Sequence, residues 1–110
     1  MKKIRITGST MKVLDMFLKN FNSEVSGAEI AKETGLMSGT LYPILRRLEK
    51  HGWLSSYWED IDASEAGRPR RRLYTINGSS RREIYEALHK RGFYETIPIP
   101  NLSSIGGFVG

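Results

Sequence analysis

Cysteine is absent from the 110-residue chain, which excludes disulfides and thiolate metal sites. Proline is scarce: of the four, Pro98 and Pro100 lie close to the C-terminus, leaving Pro43 and Pro69 alone in the body of the chain. No apolar run approaches the roughly 18 residues that would span a bilayer. The segment "MKKIRITGST" has two lysines but no apolar stretch long enough for a signal peptide. The expectation is therefore an intracellular, cytoplasmic protein with no membrane partner. Histidine is limited to His51 and His89. Neither has a nucleophile at a recognisable spacing and no Gly-rich phosphate loop is present, so the chain is not expected to be an enzyme or to carry a cofactor. The carboxylates Glu59, Asp60, Asp62 and Glu65 lack the fixed spacing of a calcium loop, and no metal site is expected.

What is present is positive charge. The formal net charge is +5 and the pI about 9.7, a balance that favours an acidic partner such as nucleic acid, solubility being the plainer reason for it. With 39% hydrophobic and 26% charged residues, the chain fits one domain with a modest core. There is no internal repeat.

Hydrophobic spacing predicts four helices and a hairpin. "KKIRIT" alternates basic and apolar residues, as a short strand or a mobile arm would. Ser9 or Thr10 offers a cap for a helix over about 10–21, with Met11, Leu14, Phe17, Leu18 and Phe21 on one stripe. "NFNSEVSG" reads as a polar loop. Ser26 and Glu29 have capping-box spacing for a second helix. That helix points Ile30 and Ala31 inward and can end at Gly35 in the left-handed conformation. A third helix, about 39–51, carries Leu41, Ile44, Leu45 and Leu48 at i, i+3, i+4, i+7, and Gly52 closes it. "WLSSYWED" alternates as a strand, with Leu54 and Trp58 on one face and Trp53 and Tyr57 on the other. "IDASEAGRP" reads as a loop, and "RRRLYTI" returns as a second strand with Tyr74 and Ile76 on one face. A fourth helix over about 79–91 starts at Asn77, or at a Ser80–Glu83 capping box. Arg81 and Arg82 in its first turn oppose the helix dipole.

The second and third helices have helix-turn-helix spacing. Ala31 precedes Gly35 by four residues, and Leu36, Leu41 and Ile44 fill the angle between the helices. The plainer reading of the same spacing is an ordinary helical bundle. Pro43 bears on the start of the third helix. If Thr40 is the cap, proline falls in the first turn, where its missing N–H costs nothing. If Ser38 is the cap, one bond is lost, and the carbonyl crowded by the ring belongs to Gly39. The apolar stripe leaves Ser38, Gly39, Thr40, Tyr42, Pro43, Arg46 and Lys50 on or near the outer face, with Arg47 at its flank. Such a face suits a DNA major groove, entered by the helix N-terminal end. In "GRPRRRLY", Gly67 and Pro69 shape a tip from which Arg68, Arg70, Arg71 and Arg72 project toward phosphate or a minor groove. Strand alternation lets no more than about half of these arginines face DNA together. The acids before them can pair with them when DNA is absent. A DNA reader is expected to join Arg46, Arg47, Arg68 and Arg70 in one continuous surface.

"SGTLYPILRRLEKHGWL", followed by an acidic hairpin and "GRPRRRLYTI", resembles the PadR family of winged-helix transcriptional regulators over roughly residues 10–90. The resemblance implies a homodimer, usually a repressor, on a pseudo-palindromic operator in duplex DNA. It also implies that Ser38 through Arg47 read the major groove while the wing from Gly67 to Arg71 touches backbone or minor groove. In some relatives a small aromatic or hydrophobic effector binds between the winged domain and the C-terminal helices and releases DNA. Family members usually continue into longer C-terminal helices than the one expected here, which leaves several elements open as the dimer interface: the first helix, "KKIRIT", the fourth helix or the apolar tail. The fold expected is mainly α with a small β-hairpin (α+β). It is a winged helix-turn-helix with a three-helix core, a two-stranded wing and a short C-terminal helix. The expected layout is an N-terminal strand or arm (1–9), the DNA-binding domain (10–78), a helix for dimerisation (79–92) and an extended tail (93–110). The alternative function is a winged-helix module for protein–protein contact, as in an anti-repressor or an assembly component.

Overall fold

A computed structural model of the chain describes residues 4–19 and 24–90. The first apolar stripe forms α1 (Gly8–Lys19), burying Val13, Leu14, Met16, Phe17 and Leu18. Its cap is neither Ser9 nor Thr10. Thr7 Oγ1 accepts from the Thr10 N–H at 3.2 Å, which satisfies one of the free donors of the first turn. Residues 4–7 form no strand, but Ile6 is buried in the core, so this segment is anchored. Phe21, expected on the α1 stripe, and residues 91–110 with the tail lie outside the described residues.

Part of the expected polar loop is a short strand, β1 (Val25–Ser26). Ser26 then serves twice, pairing with Leu73 and capping α2 (Gly27–Thr34). The capping box is complete. The Glu29 N–H donates to Ser26 Oγ at 3.2 Å and the Ser26 N–H donates to Glu29 Oε1 at 2.9 Å. The Ser26 backbone bond, with the hydroxyl bond behind it, holds the Glu29 carboxyl below its usual range. Gly35 ends α2 at φ 74°, its N–H returning to the Ala31 carbonyl at 2.8 Å, a backbone state that glycine adopts without strain.

Helix α3 (Ser38–Lys50) begins one residue earlier than a Ser38 cap allows and three earlier than a Thr40 cap. Met37 holds the N-cap position without a side-chain bond, and the Leu41 N–H donates to its carbonyl at 2.9 Å. Pro43 therefore lies in the second turn, and the Gly39 carbonyl loses its helical donor. Both residues are exposed, so water can take that carbonyl. The stripe Leu41, Ile44, Leu45 and Leu48 is buried as expected. Each such side chain contributes roughly 1.5–3 kcal/mol. At the other end Gly52, at φ 85°, donates to the Glu49 carbonyl and Trp53 to the Leu48 carbonyl, both at 3.0 Å. This is the two-bond termination of a helix by a left-handed glycine. It turns Trp53 into the core before the strand starts, so Trp53 and Leu54 are both 2% exposed and the expected alternation begins only at Leu54.

Strands β2 (Leu54–Trp58) and β3 (Arg72–Ile76) pair antiparallel from Leu54↔Ile76 to Trp58↔Arg72. With β1 they make a three-stranded sheet in the order β1-β3-β2, one strand more than the hairpin expected. Tyr74 and Ile76 share a buried face. Between β2 and β3 the expected loop contains a turn of helix, α4 (Ala63–Ala66). A 3₁₀ turn (Gly78–Ser80) leads into α5 (Arg81–Lys90), which buries Ile84 and Leu88 against the same core. Asn77 makes no side-chain cap bond. Its Oδ1 accepts from Ser55 Oγ at 2.6 Å and its amide donates to the Gly52 carbonyl. Ser80 Oγ donates to that same carbonyl at 3.1 Å. Both side chains tie the base of the wing to the end of α3. Among the described residues no helix is long and apolar enough to cross a membrane.

Candidate nucleic-acid interface

Burial of one α3 face orients the other outward. Ser38, Gly39, Thr40, Pro43, Arg46 and Lys50 are exposed and Arg47 is half-buried at the flank. Tyr42 is 41% exposed but is not free in solution. Its ring end lies across Gly27 at the start of α2. A Cβ on Gly27 would meet Tyr42 Cε1 and Cζ at 2.9 Å and the hydroxyl closer still. Only glycine lets the tyrosine lie there. Met37, 81% exposed at the head of α3, adds an apolar side chain beside Ser38. Arg46, Arg47 and Lys50 form no ion pair among the described residues.

The wing is a built structure. Its four arginines from Arg68 to Arg72 are matched in number by the four acids from Glu59 to Glu65, so which cations are free depends on pairing. Glu59 takes Arg68 in a two-pronged bond, Nη1 to Oε1 at 2.7 Å and Nη2 to Oε2 at 3.1 Å, and accepts the Arg71 N–H at 2.8 Å. The Arg68 bond first and the Arg71 N–H second hold the Glu59 carboxyl down to about 2, and the same bond raises Arg68. Asp62 caps α4 through the N–H groups of Ser64 at 2.9 Å and Glu65 at 3.2 Å. Gly67 ends it at φ 71°. Arg70 Nε donates to the Ile61 carbonyl at 3.0 Å. Arg71 is exposed and forms no ion pair among the described residues.

Between α3 and the sheet lies an open groove of about 470 Å³, lined by Tyr42, Arg46, Glu49, Lys50, Arg72 and Tyr74. It joins three residues of the expected site to a wing arginine, and that arginine is Arg72. Arg68 turns to Glu59 and Arg70 to the Ile61 carbonyl. Arg72 is fixed by several neighbours, the Tyr74 hydroxyl among them. Its Nε donates to Ser56 Oγ at 3.1 Å, its guanidinium lies 5.4 Å from the Trp58 ring centre, and Nη2 approaches Glu49 at 3.7 Å. Ser56 in turn donates to Glu49 at 2.6 Å. Burial pushes the neighbouring Tyr74 hydroxyl up. Gly27, Glu49 and Ser56 are the residues of this surface to which sequence reasoning gives no part; Arg72 is expected at the wing tip and Glu59 among the acids that pair with its arginines, but the partner of neither is legible. Asp62 and Glu65 do carry a local signal for α4, the Asp-x-x-Glu spacing of a helix start.

Three solved structures share this fold at low identity. The first is smu.1704 from Streptococcus mutans UA159, with 22% identity over 86% of this chain and 88% of that one and a TM-score of 0.62. The second is a PadR family transcription regulator from Clostridium difficile R20291, with 22% identity over 82% and 94% and a TM-score of 0.60. The third is BpsR from Bordetella bronchiseptica, with 20% identity over 97% and 70% and a TM-score of 0.62. The BpsR structure concerns regulation of its DNA binding by 6-hydroxynicotinic acid. No curated protein matches the sequence. The family model for the transcriptional regulator PadR-like family matches residues 18–90, the stretch that contains the helix-turn-helix and the wing. By that match, and with the winged-helix architecture behind it, the chain belongs to the PadR-like family of transcriptional regulators, DNA-binding proteins rather than enzymes.

Proposed function

We propose that the protein is a sequence-specific duplex-DNA binder that acts as a homodimeric repressor on a pseudo-palindromic operator. One observation carries this reading. Tyr42, Arg46 and Lys50, on the outer face of α3, share a single groove with Arg72 of the wing. The first turn of α3 reads bases in the major groove. The exposed Ser38, Gly39 and Thr40 admit close approach there, and Tyr42 and Pro43 offer apolar surface to a thymine methyl. Arg46, Arg47, Lys50 and Arg71 hold phosphates. Arg68 and Arg70, assigned to DNA by their place in the sequence, act chiefly by shaping the wing in the free protein. Residues 10–78 form the DNA-binding unit, and residues 79–92, which contain α5, form the dimerisation element. A small aromatic effector fits the same reading, as 6-hydroxynicotinic acid does for BpsR.

Selection of bound fragments from genomic DNA, followed by affinity measurements on the selected site and on a random duplex, tests the proposal. Tyr42→Ala should lose preference for the selected site, by about 1–3 kcal/mol per lost base contact, whereas Arg46→Ala should weaken binding to both duplexes alike. Half-sites should be about 34 Å apart. Equal losses on both duplexes for Tyr42→Ala would count against base reading by α3. The exposed Tyr57 and Trp58 on the wing favour a second reading, a protein-contact module. That reading expects no preference for any selected site, and only weak, sequence-blind binding that modest salt abolishes.

A further inference from the structure

The groove between α3 and the wing has an unequal charge balance. Arg46, Lys50 and Arg72 line it opposite one carboxylate, Glu49. That carboxylate is held by a neutral group: its short bond is the one from Ser56 Oγ, at 2.6 Å, whereas Arg72 Nη2 stays at 3.7 Å, beyond hydrogen-bond length. Arg72 is held in place by Trp58 and Ser56. Its guanidinium has five N–H donors, of which Ser56 Oγ and the Tyr74 hydroxyl engage only part, so the fork keeps donors for another acceptor.

We propose that Arg72, with Arg46 and Lys50 across the groove, seats one backbone phosphate of the bound duplex, and that Glu49 stands in for that phosphate in the free protein. The inference rests on the duplex-binding reading and adds to it a residue, a ligand group and an internal competitor. A passive strut between helix and wing would need Glu49 and Arg72 alone. The two further cations on the same walls, neither of them ion-paired among the described residues, point to a polyanion entering from the open side. A phosphate offers several strong acceptor oxygens to this fork, where Glu49 makes one long contact. Ser56 keeps Glu49 hydrogen-bonded when Arg72 turns away from it, so no buried charge is stranded by the exchange.

The sign of one substitution tests the proposal. Binding of the selected duplex and of a random duplex is measured across a salt series for wild type, Arg72→Gln and Glu49→Gln, with thermal melting of each variant. Arg72→Gln should bind both duplexes about fivefold more weakly, with a log–log salt slope shallower by about one. Glu49→Gln should bind both about threefold more tightly, because the competitor has lost its charge. If both variants weaken binding together, the pair is only a strut and the proposal is overturned, even should Arg72→Gln melt early, because the sign for Glu49→Gln stands alone. Trp58 fluorescence during titration with inorganic phosphate separates the sources of phosphate. No saturating change at millimolar phosphate is expected, and saturation there would overturn duplex backbone as the occupant. If wild type binds no duplex in a salt-dependent manner, the functional reading itself fails and takes this inference with it. If wild type binds steeply and the two variants shift together, only this inference fails.

Discussion

Gly27→Ala isolates the placement of Tyr42 from the stability of the fold. The added Cβ would lie 2.9 Å from Tyr42 Cε1 and Cζ and closer still to the hydroxyl, so the ring end must retreat by roughly an ångström or slightly more to regain a separation of about 3.5 Å. What moves is the far end of a side chain that is already 41% exposed. An off-rotamer adjustment costs about 0.5–1.5 kcal/mol, and alanine in place of glycine in α2 returns up to about 1 kcal/mol of helix propensity. Stability should therefore change by less than about 1 kcal/mol. Operator preference should fall by about 1–2 kcal/mol, roughly five- to thirtyfold, if the displaced ring no longer meets its base. Fluorescence anisotropy on the selected site and on a random duplex, alongside thermal melts, reads both quantities. The decisive control is a double-mutant cycle. In a Tyr42→Ala background the alanine at 27 has no ring to displace and should change preference little. A Gly27→Ala protein that melts several kilocalories earlier, or that loses the same preference with and without Tyr42, would refute the reasoning.

Three further outcomes follow from local geometry. Pro43→Ala restores the N–H that the Gly39 carbonyl lacks, a gain partly offset by the looser unfolded chain. Chemical denaturation should show about 1 kcal/mol of added stability, and a loss would contradict the second-turn placement of the proline. Glu59 has its folded-state pKa depressed from 4.5 to about 2 by Arg68 and the Arg71 N–H. Its contribution to wing order is therefore present above pH 4.5 and is lost as the pH falls toward 2. Emission from Trp58 should change over that window in wild type and be flat in Glu59→Gln; an identical profile in both proteins would remove Glu59 from that role. Ser26→Ala removes the hydroxyl half of the capping box and should cost about 1 kcal/mol in urea unfolding, whereas no measurable change would mean that the cap contributes nothing in this fold.

Much of the fold was legible because its signals are local. The Leu41, Ile44, Leu45, Leu48 stripe, the Ser26–Glu29 box and the left-handed Gly35 each depend on residues within two turns of one another. The Tyr74–Ile76 face needed only strand alternation. The site was legible in outline, since a buried stripe dictates which α3 residues face outward. What escaped depends on contacts between residues far apart in sequence. Nothing near Gly27 says that Tyr42, fifteen positions on, lies across it. Arg68 and Arg72 carry the same side chain in the same arginine run. The fold alone turns one to Glu59 and the other into the groove beside Glu49. β1 is two residues long and has no periodicity to read; it forms because β3 presents an edge to it. The Met37 cap was hidden by better capping residues on its C-terminal side, and Trp53 left the strand pattern because Gly52 turns the chain at that point.

The central claim is that the outer face of α3 and the inner face of the wing meet duplex DNA as one surface. Backbone amide shifts in a labelled sample, titrated with the selected duplex, test it most directly. Perturbations should concentrate at residues 37–50 and 56–72, with Gly27 moving as Tyr42 engages, and should weaken together as salt is raised. Shifts confined to α1 and α5, with α3 and the wing silent at saturating duplex, would contradict it.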